Sequence, residues 1–147
     1  ALSRQNLPAL RDDDDENLCL RGAYRLISSE AELKVVILAT GSEVQIATAI
    51  AEALEAEDIG VDVVSMPCWE LFEAQDADYR ENLIPDDVLV VSIEAGTTMG
   101  WHKYTGRDGL TIGIDTFGAS APDSALYKHF GFTPEAIIPQ IKAKLGI

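Results

Sequence analysis

The amino-acid sequence predicts an α/β fold in which the central strands of the sheet run parallel. The main observation is the stretch 34–64, KVVILATGSEVQIATAIAEALEAEDIGVDVV, which has the pattern of a strand, a helix and a second strand. A second observation is the apolar run VLVVSI at 88–93, which follows a polar segment with helical character. Strands of one sheet that are joined through a helix run parallel, because the chain must cross over before the next strand begins.

The strand–helix–strand unit is defined by its apolar residues. The continuous run Val35–Ala39 is typical of a strand that is buried on both faces of a parallel sheet. Ser42 and Gln45 have the spacing of a capping box, which predicts a helix from Glu43. Gly60 is predicted to end that helix. The apolar face of the helix repeats at helical spacing: Val44, Ala47, Ile50, Ala51 and Leu54.

The segment before this unit predicts one more strand. Residues 22–27, GAYRLI, alternate in the way that strands do. The connection to the next strand is too short for a crossover, so this strand would run antiparallel to its successor if the two pair. We expect it near a lateral edge of the sheet.

The second half of the chain predicts further strands and helices. After the strand 61–66 we expect one helix over 70–83 and then the strand 88–93. Residues 109–114 predict a short strand at a lateral edge, because a glycine lies inside the run. Ser120 and Asp123 again have capping-box spacing, with Pro122 in the first turn and Gly131 at the end.

The last helix is predicted to begin at Thr133 and Pro134. Its apolar residues fall on one stripe, and two lysines lie near its carboxyl end, where they complement the helix dipole. The stripe consists of Ile137, Ile138, Ile141 and Leu145.

Composition restricts the possible partners. The chain has 147 residues, 25 acidic against 11 basic side chains and a formal net charge of -14. Such a surface repels phosphate backbones and anionic lipids, so nucleic acid and membranes are not expected partners. The apolar runs are shorter than the roughly 20 residues that span a bilayer. Cys19 and Cys68 have no pairing pattern, which predicts reduced thiols and a cytoplasmic location.

Few residues suggest chemistry. The acidic run Asp12–Glu16 is expected to be solvated unless a divalent ion or a basic partner covers it. His102 has no visible partner and is interpreted as a structural or surface group. Glu94 follows a buried strand, where a ligand could bind, but a hydrogen bond to loop backbone is the simpler interpretation. The residues alone therefore predict an α/β domain without a self-contained active site.

The ends of two predicted strands are expected to form a crevice. If both strands are parallel neighbours, the loops 40–43 and 94–96 lie side by side. Glu43 and Glu94 would make that crevice negative. We therefore expect it to favour a cation or a neutral polar molecule over phosphate or sulfate.

Several motifs in one order resemble the carboxyl-terminal region of transketolase. They are ALSRQNLP, ILATGSEV, VVSMPCWELFEAQDADYRENLIP, SIEAG, DTFGASAP and FGFTPE. The resemblance implies a three-layer α/β/α domain with a mixed, mostly parallel sheet of about five strands, the first one antiparallel. It also implies that 1–21 are the end of the middle, pyrimidine-binding domain with a linker, and that 22–147 are the C-terminal domain.

The resemblance further implies a function for the full-length protein. Transketolases use thiamine diphosphate and Mg²⁺ or Ca²⁺ to transfer a two-carbon ketol unit from a ketose phosphate to an aldose phosphate. Their cofactor lies between the first two domains of opposite subunits of a homodimer, and its GDG signature is missing here. This chain is thus expected to have no catalytic, cofactor-binding or metal-binding residue and to be inactive alone, with structural and assembly roles beside the remaining domains. By the same resemblance, Arg4 contacts the phosphate of the sugar substrate.

Two alternatives remain open at this stage. One is an independent regulatory or small-ligand-binding module that uses the crevice at 40–43 and 94–96. The other is a different ketol transferase, such as a dihydroxyacetone synthase.

Overall fold

The computed structural model describes residues 6–11 and 15–147. The strands are β1 (Tyr24–Ile27), β2 (Leu33–Ala39), β3 (Gly60–Ser65), β4 (Leu89–Ile93) and β5 (Leu110–Ile112). The helices are α1 (Val44–Glu55), α2 (Trp69–Glu73), α3 (Ala77–Leu83), α4 (His102–Thr105), α5 (Asp123–Phe130) and α6 (Pro134–Leu145). Two short 3-10 helices, Leu18–Arg21 and Gly41–Glu43, precede β1 and α1.

The five strands form one mixed sheet in the order β1-β3-β2-β4-β5. Strands β2, β3, β4 and β5 pair in parallel, whereas β1 pairs antiparallel with β3. This confirms the predicted mixed sheet with an antiparallel first strand at a lateral edge. Strand β1 does not pair with its successor, because β3 and β4 occupy both sides of β2.

The central strands are buried on both faces, and alternate residues of each strand belong to two separate cores. On one face, Val35, Ile37 and Ala39 of β2 pack with residues of α1 and α6. On the other face, Val36 and Leu38 pack with residues of α2 and α3 and with Trp101. The sheet is thus sandwiched between helices, as the three-layer prediction requires. Within the described residues, no helix combines the length and the apolar character that crossing a membrane requires.

The predicted cap and the predicted end of α1 are wrong, while its start at Val44 is one residue from the predicted Glu43. Ser42 does not cap the helix, because its hydroxyl donates to the neighbouring Glu43 carboxylate at 2.7 Å, and the chain enters α1 through a 3-10 turn. The helix ends at Glu55, and Gly60 is the first residue of β3. A side chain at Gly60 would collide with the backbone of Glu32, which explains the glycine there.

The single helix predicted over 70–83 is two helices, α2 and α3. Asp76 starts the second one by accepting a hydrogen bond from the N–H of Tyr79 at 2.7 Å, which is an N-cap. The capping box at Ser120 is also wrong. Helix α5 begins at Asp123 without a side-chain cap. Gly131 does end α5, in the left-handed conformation with φ of 78°.

Candidate functional site

The carboxyl end of the sheet, meaning the end where β2 to β5 finish, brings several loops together. Because β2 and β4 are parallel neighbours, the loops 40–43 and 94–96 lie side by side, as expected. Strand β1 runs the opposite way, so its first residues also lie at this end, with Tyr24 opposite Ser65. We call the opposite end of the sheet, where β2 to β5 begin, the amino end.

A cavity of about 810 Å³ opens between these loops. Its walls combine two tryptophan side chains with three carboxylates. The lining residues are Leu7, Thr40, Gly41, Ser42, Glu43, Met66, Pro67, Cys68, Trp69, Glu70, Glu94, Ala95 and Trp101.

Glu94 fixes one wall of the cavity. Its Oε2 accepts a hydrogen bond from the indole Nε1 of Trp101 at 2.6 Å. Trp101 is buried and packs edge-on against Trp69, with 5.0 Å between the ring centroids. The expected bond between the Glu94 side chain and loop backbone is therefore replaced by one to an indole. An indole is a donor only, so a carboxylate is a suitable buried partner for it.

Glu43 fixes the opposite wall. Its side chain is 5% exposed, and its Oε1 accepts hydrogen bonds from the hydroxyls of Ser42 at 2.7 Å and Tyr127 at 2.9 Å. Tyr127 belongs to α5, so this contact ties α5 to the start of α1. A smaller cavity of about 270 Å³ lies on the other side of Glu43, beneath α5.

Outside the cavity lining, the carboxylate of Asp115 joins the loops after β4 and β5. It accepts hydrogen bonds from the Thr98 N–H at 2.9 Å, from the Thr98 hydroxyl at 2.7 Å and from the Thr97 hydroxyl at 3.1 Å. The two bonds from Thr98 are the main reason why the pKa of Asp115 lies below its usual range. Neither Asp115 nor Tyr127 stood out in the sequence, since their partners are distant along the chain.

The remaining sequence candidates lie apart from this cavity or outside the described residues. Arg4 and residues 12–14 of the acidic run lie outside them. Glu16, at the end of that run, pairs with Arg21 at 2.8 Å. His102 is exposed at the start of α4. Among residues 6–11 and 15–147, no group of three or more His, Cys, Asp or Glu side chains could hold a metal ion.

The chemistry of the large cavity does not fit a thiamine diphosphate. A diphosphate needs cations or several N–H donors around it. Among the described residues that line the cavity there is no lysine or arginine, while Glu43, Glu70 and Glu94 contribute carboxylates. The cavity suits a positively charged or neutral group instead.

Comparison with known proteins identifies the family. The sequence model of the family described as "Transketolase-like TK C-terminal domain" matches residues 22–133. The chain belongs to this transketolase C-terminal domain family. The prediction from the motifs is thereby confirmed, and so is the fold that it implied.

Curated relatives match almost the whole chain. The transketolase of Staphylococcus epidermidis is 44% identical over 145 residues, which are 97% of this chain and 22% of the relative. The transketolase of Sinorhizobium medicae is 48% identical over 142 residues, which are 95% of this chain and 20% of the relative. The chain thus spans about a fifth of the length of these relatives.

Solved transketolase structures have the same fold. That of Leishmania mexicana is 43% identical with a TM-score of 0.80, and the match covers 88% of this chain and 18% of that one. A Pichia stipitis transketolase, described as a complex with sedoheptulose 7-phosphate, is 34% identical with a TM-score of 0.86. That match covers 97% of this chain and 20% of the Pichia chain.

Proposed function

We propose that this chain is the C-terminal part of a transketolase whose full length transfers a two-carbon ketol unit from a ketose phosphate to an aldose phosphate. The observation that carries the proposal is the match to transketolases along 95–97% of the chain. The Pichia relative in complex with sedoheptulose 7-phosphate supports sugar phosphates as the substrates. The relatives named above are transketolases, which favours this activity over that of a dihydroxyacetone synthase.

In this proposal the chain is structural, and the catalytic groups are contributed by other parts of the protein. Thiamine diphosphate, with Mg²⁺ or Ca²⁺, would supply the carbanion chemistry. The carboxylates in the cavity of the described domain argue against this chain as the place where the cofactor binds. We place the domain boundary at Gly22, which is also the first residue of the family match. The full-length protein would be a homodimer.

Calorimetric titration tests the non-catalytic role. The isolated chain should bind no thiamine diphosphate at micromolar concentration with Mg²⁺ present, and it should show no ketol transfer. The protein that includes the preceding domains should do both. Micromolar binding by the isolated chain would contradict the proposal.

Arg4 is the substrate-binding residue of this proposal. A guanidinium binds phosphate oxygens with two parallel hydrogen bonds and keeps its charge. In the full-length enzyme, Arg4→Ala should raise the KM for phosphorylated substrates, because the lost contact is worth roughly 1.5 to 3 kcal/mol. A non-phosphorylated donor should be unaffected.

The matched control is Arg107→Ala, at an exposed arginine at the amino end of the sheet, which should leave both KM values unchanged. If Arg4→Ala weakens both donor types equally, the residue acts on the fold and not on the phosphate.

The proposed location is the cytoplasm. Cys19 is exposed and Cys68 is half-buried, and neither forms a disulfide, which suits a reducing compartment. Fractionation of the source cells with an antibody against the chain would test this. Recovery of the protein from an organelle would contradict it, a relevant outcome because one relative is a chloroplastic transketolase of Solanum tuberosum.

A further inference from the structure

The large apolar side chains that remain exposed are unevenly distributed over the domain. Phe117 is 100% exposed and Met99 is 77% exposed, which is unusual for side chains of this size. Within the described part of the chain, the full set is Leu7, Leu10, Leu20, Leu71, Met99, Phe117 and Ile147.

All of these residues except Ile147 lie on segments at the carboxyl end of the sheet. Leu71 is in α2, after β3, while Met99 follows β4 and Phe117 follows β5. Leu20 belongs to the 3-10 helix directly before β1, whose first residue is at this end.

Leu7 and Leu10 come from the described segment 6–11. Leu7 lines the large cavity, and the guanidinium of Arg11, next to Leu10, packs over the ring of Tyr24. This segment therefore also lies at the carboxyl end.

Ile147 is at the other end of the domain. It follows α6, whose Lys144 Nζ donates to the carbonyl oxygen of Asp108, before β5. Lys142, also in α6, forms an ion pair with Glu57, which precedes β3. The end of α6, and Ile147 after it, therefore lie at the amino end of the sheet.

The loops that carry Met99 and Phe117 are held in place. Besides the bonds of Asp115 to Thr97 and Thr98, the N–H of Ile114 donates to the carbonyl oxygen of Gly96 at 2.6 Å. Gly113 lies so close to Thr98 and Gly96 that a larger residue would collide. These contacts fix the chain beside Met99 and the chain directly before Phe117. Exposed apolar side chains that cluster at one end of a domain are typical of an interaction surface.

The direction of β1 places the preceding part of the protein at the same end. Because β1 is antiparallel to the other strands, the polypeptide enters the domain at the carboxyl end. The relatives are about five times as long as this chain, which matches their C-terminal domain. The additional domains are therefore attached where the apolar side chains are exposed.

We propose that the carboxyl end of the sheet, with Met99, Phe117, Leu71 and Leu20, is the docking surface for the domains that precede this chain in the same polypeptide. This inference rests on the proposed function, since it requires a longer protein. The occupant is an apolar surface of the preceding domains, and the contact covers the large cavity. The amino end of the sheet stays in contact with solvent.

Hydrogen exchange of the full-length protein tests this inference. Residues 116–121 lie outside any helix or strand, so their amides would exchange rapidly if this end faced solvent. We expect them to exchange at least about tenfold more slowly than residues 86–87 and 107–108 in turns at the amino end, after correction for intrinsic rates. Those turns are the internal control.

Three results would overturn the inference. One is fast exchange at 116–121 in a sample that catalyses ketol transfer, which would leave the proposed function intact. Another is equal protection at both ends of the sheet. The third is protection that is lost when the protein is diluted to the monomer, because the occupant would then be the partner subunit. Ketol transfer in the same sample tests the proposed function separately.

Discussion

The two ends of the sheet differ in how their loops are stabilised. At the amino end, carboxylates bind the backbone of neighbouring loops. Glu55 accepts from the N–H groups of Val61 at 2.7 Å and of Glu30 and Ala31 at 3.3 Å. Asp62 accepts from the Ser29 N–H at 2.7 Å.

At the carboxyl end, Glu43 and Glu94 accept from the side chains of Tyr127 and Trp101, whereas Asp115 accepts from both the N–H and the hydroxyl of Thr98. A large cavity remains open there beside exposed apolar groups. Polar loops tied to their own backbone need no further partner. Apolar side chains that cluster on loops around an open cavity are instead typical of a surface that binds a partner. We infer that the loops of the amino end are stabilised within this chain, whereas the carboxyl end is the one that we propose to be covered by the preceding domains.

Gly22→Ala should cause the largest loss of unfolding free energy, because it disrupts the carboxyl end of the sheet. Gly22 has φ of +80°, and a Cβ there would collide with the backbone of Phe72 and Cys68. We expect the free energy of unfolding to fall by more than about 4 kcal/mol, measured by urea denaturation. The control is Gly41→Ala, where φ is +57° and the space is open, and which should cost only about 1 kcal/mol. Equal losses of unfolding free energy in the two variants would show that the positive φ, and not the collision with the backbone, determines the cost.

Asp62→Asn should disrupt the amino end by a smaller amount. The buried Asp62 Oδ2 lies 2.6 Å from Arg25 Nε, and the ion pair holds β1 against β3. Arg25 is 30% exposed, so water partly compensates for the lost charge. The expected loss in unfolding free energy is about 2 to 3 kcal/mol. Asp86→Asn, at an exposed residue of the same end, should change nothing measurable.

Loss of the Asp115 hydrogen bonds should have the smallest effect on the free energy of unfolding, and that effect depends on pH. Its pKa is lowered in the folded chain, so its hydrogen bonds stabilise the fold fully above the ordinary aspartate pKa of about 3.9. That contribution is lost only as the pH falls through the lowered value. The amide resonance of Thr98 should therefore be constant from neutral pH down to about 4 and titrate below it. The titration should vanish in Asp115→Asn, and a midpoint above 4 would contradict the assignment.

Much of the fold could be predicted from local sequence patterns. The apolar run Val35–Ala39 predicted a buried strand. The short connection after Ile27 predicted a strand antiparallel to its successor if the two pair; β1 is antiparallel and at a lateral edge, but it pairs with β3. Errors arose where a polar side chain has two possible roles. Ser42 has the spacing of a cap but binds Glu43, while Asp76 is a cap within a segment that resembled one continuous helix.

The site could be predicted only in part. The side-by-side loops 40–43 and 94–96 followed from the parallel strands. The contact of Tyr127 with Glu43 joins residues 84 apart, and that of Asp115 with Thr98 joins residues 17 apart. Such pairs depend on tertiary packing, and no local pattern indicates them.

The most direct test of the difference between the two ends is a pair of surface substitutions in the full-length protein. Phe117→Ser at the carboxyl end and Ile147→Ser at the amino end both remove an exposed apolar side chain. We predict that Phe117→Ser lowers the unfolding free energy by about 2 kcal/mol in urea denaturation, because the phenyl ring would be buried against the preceding domains. Ile147→Ser should leave it unchanged. Equal losses in the two variants would contradict docking of the preceding domains at the carboxyl end.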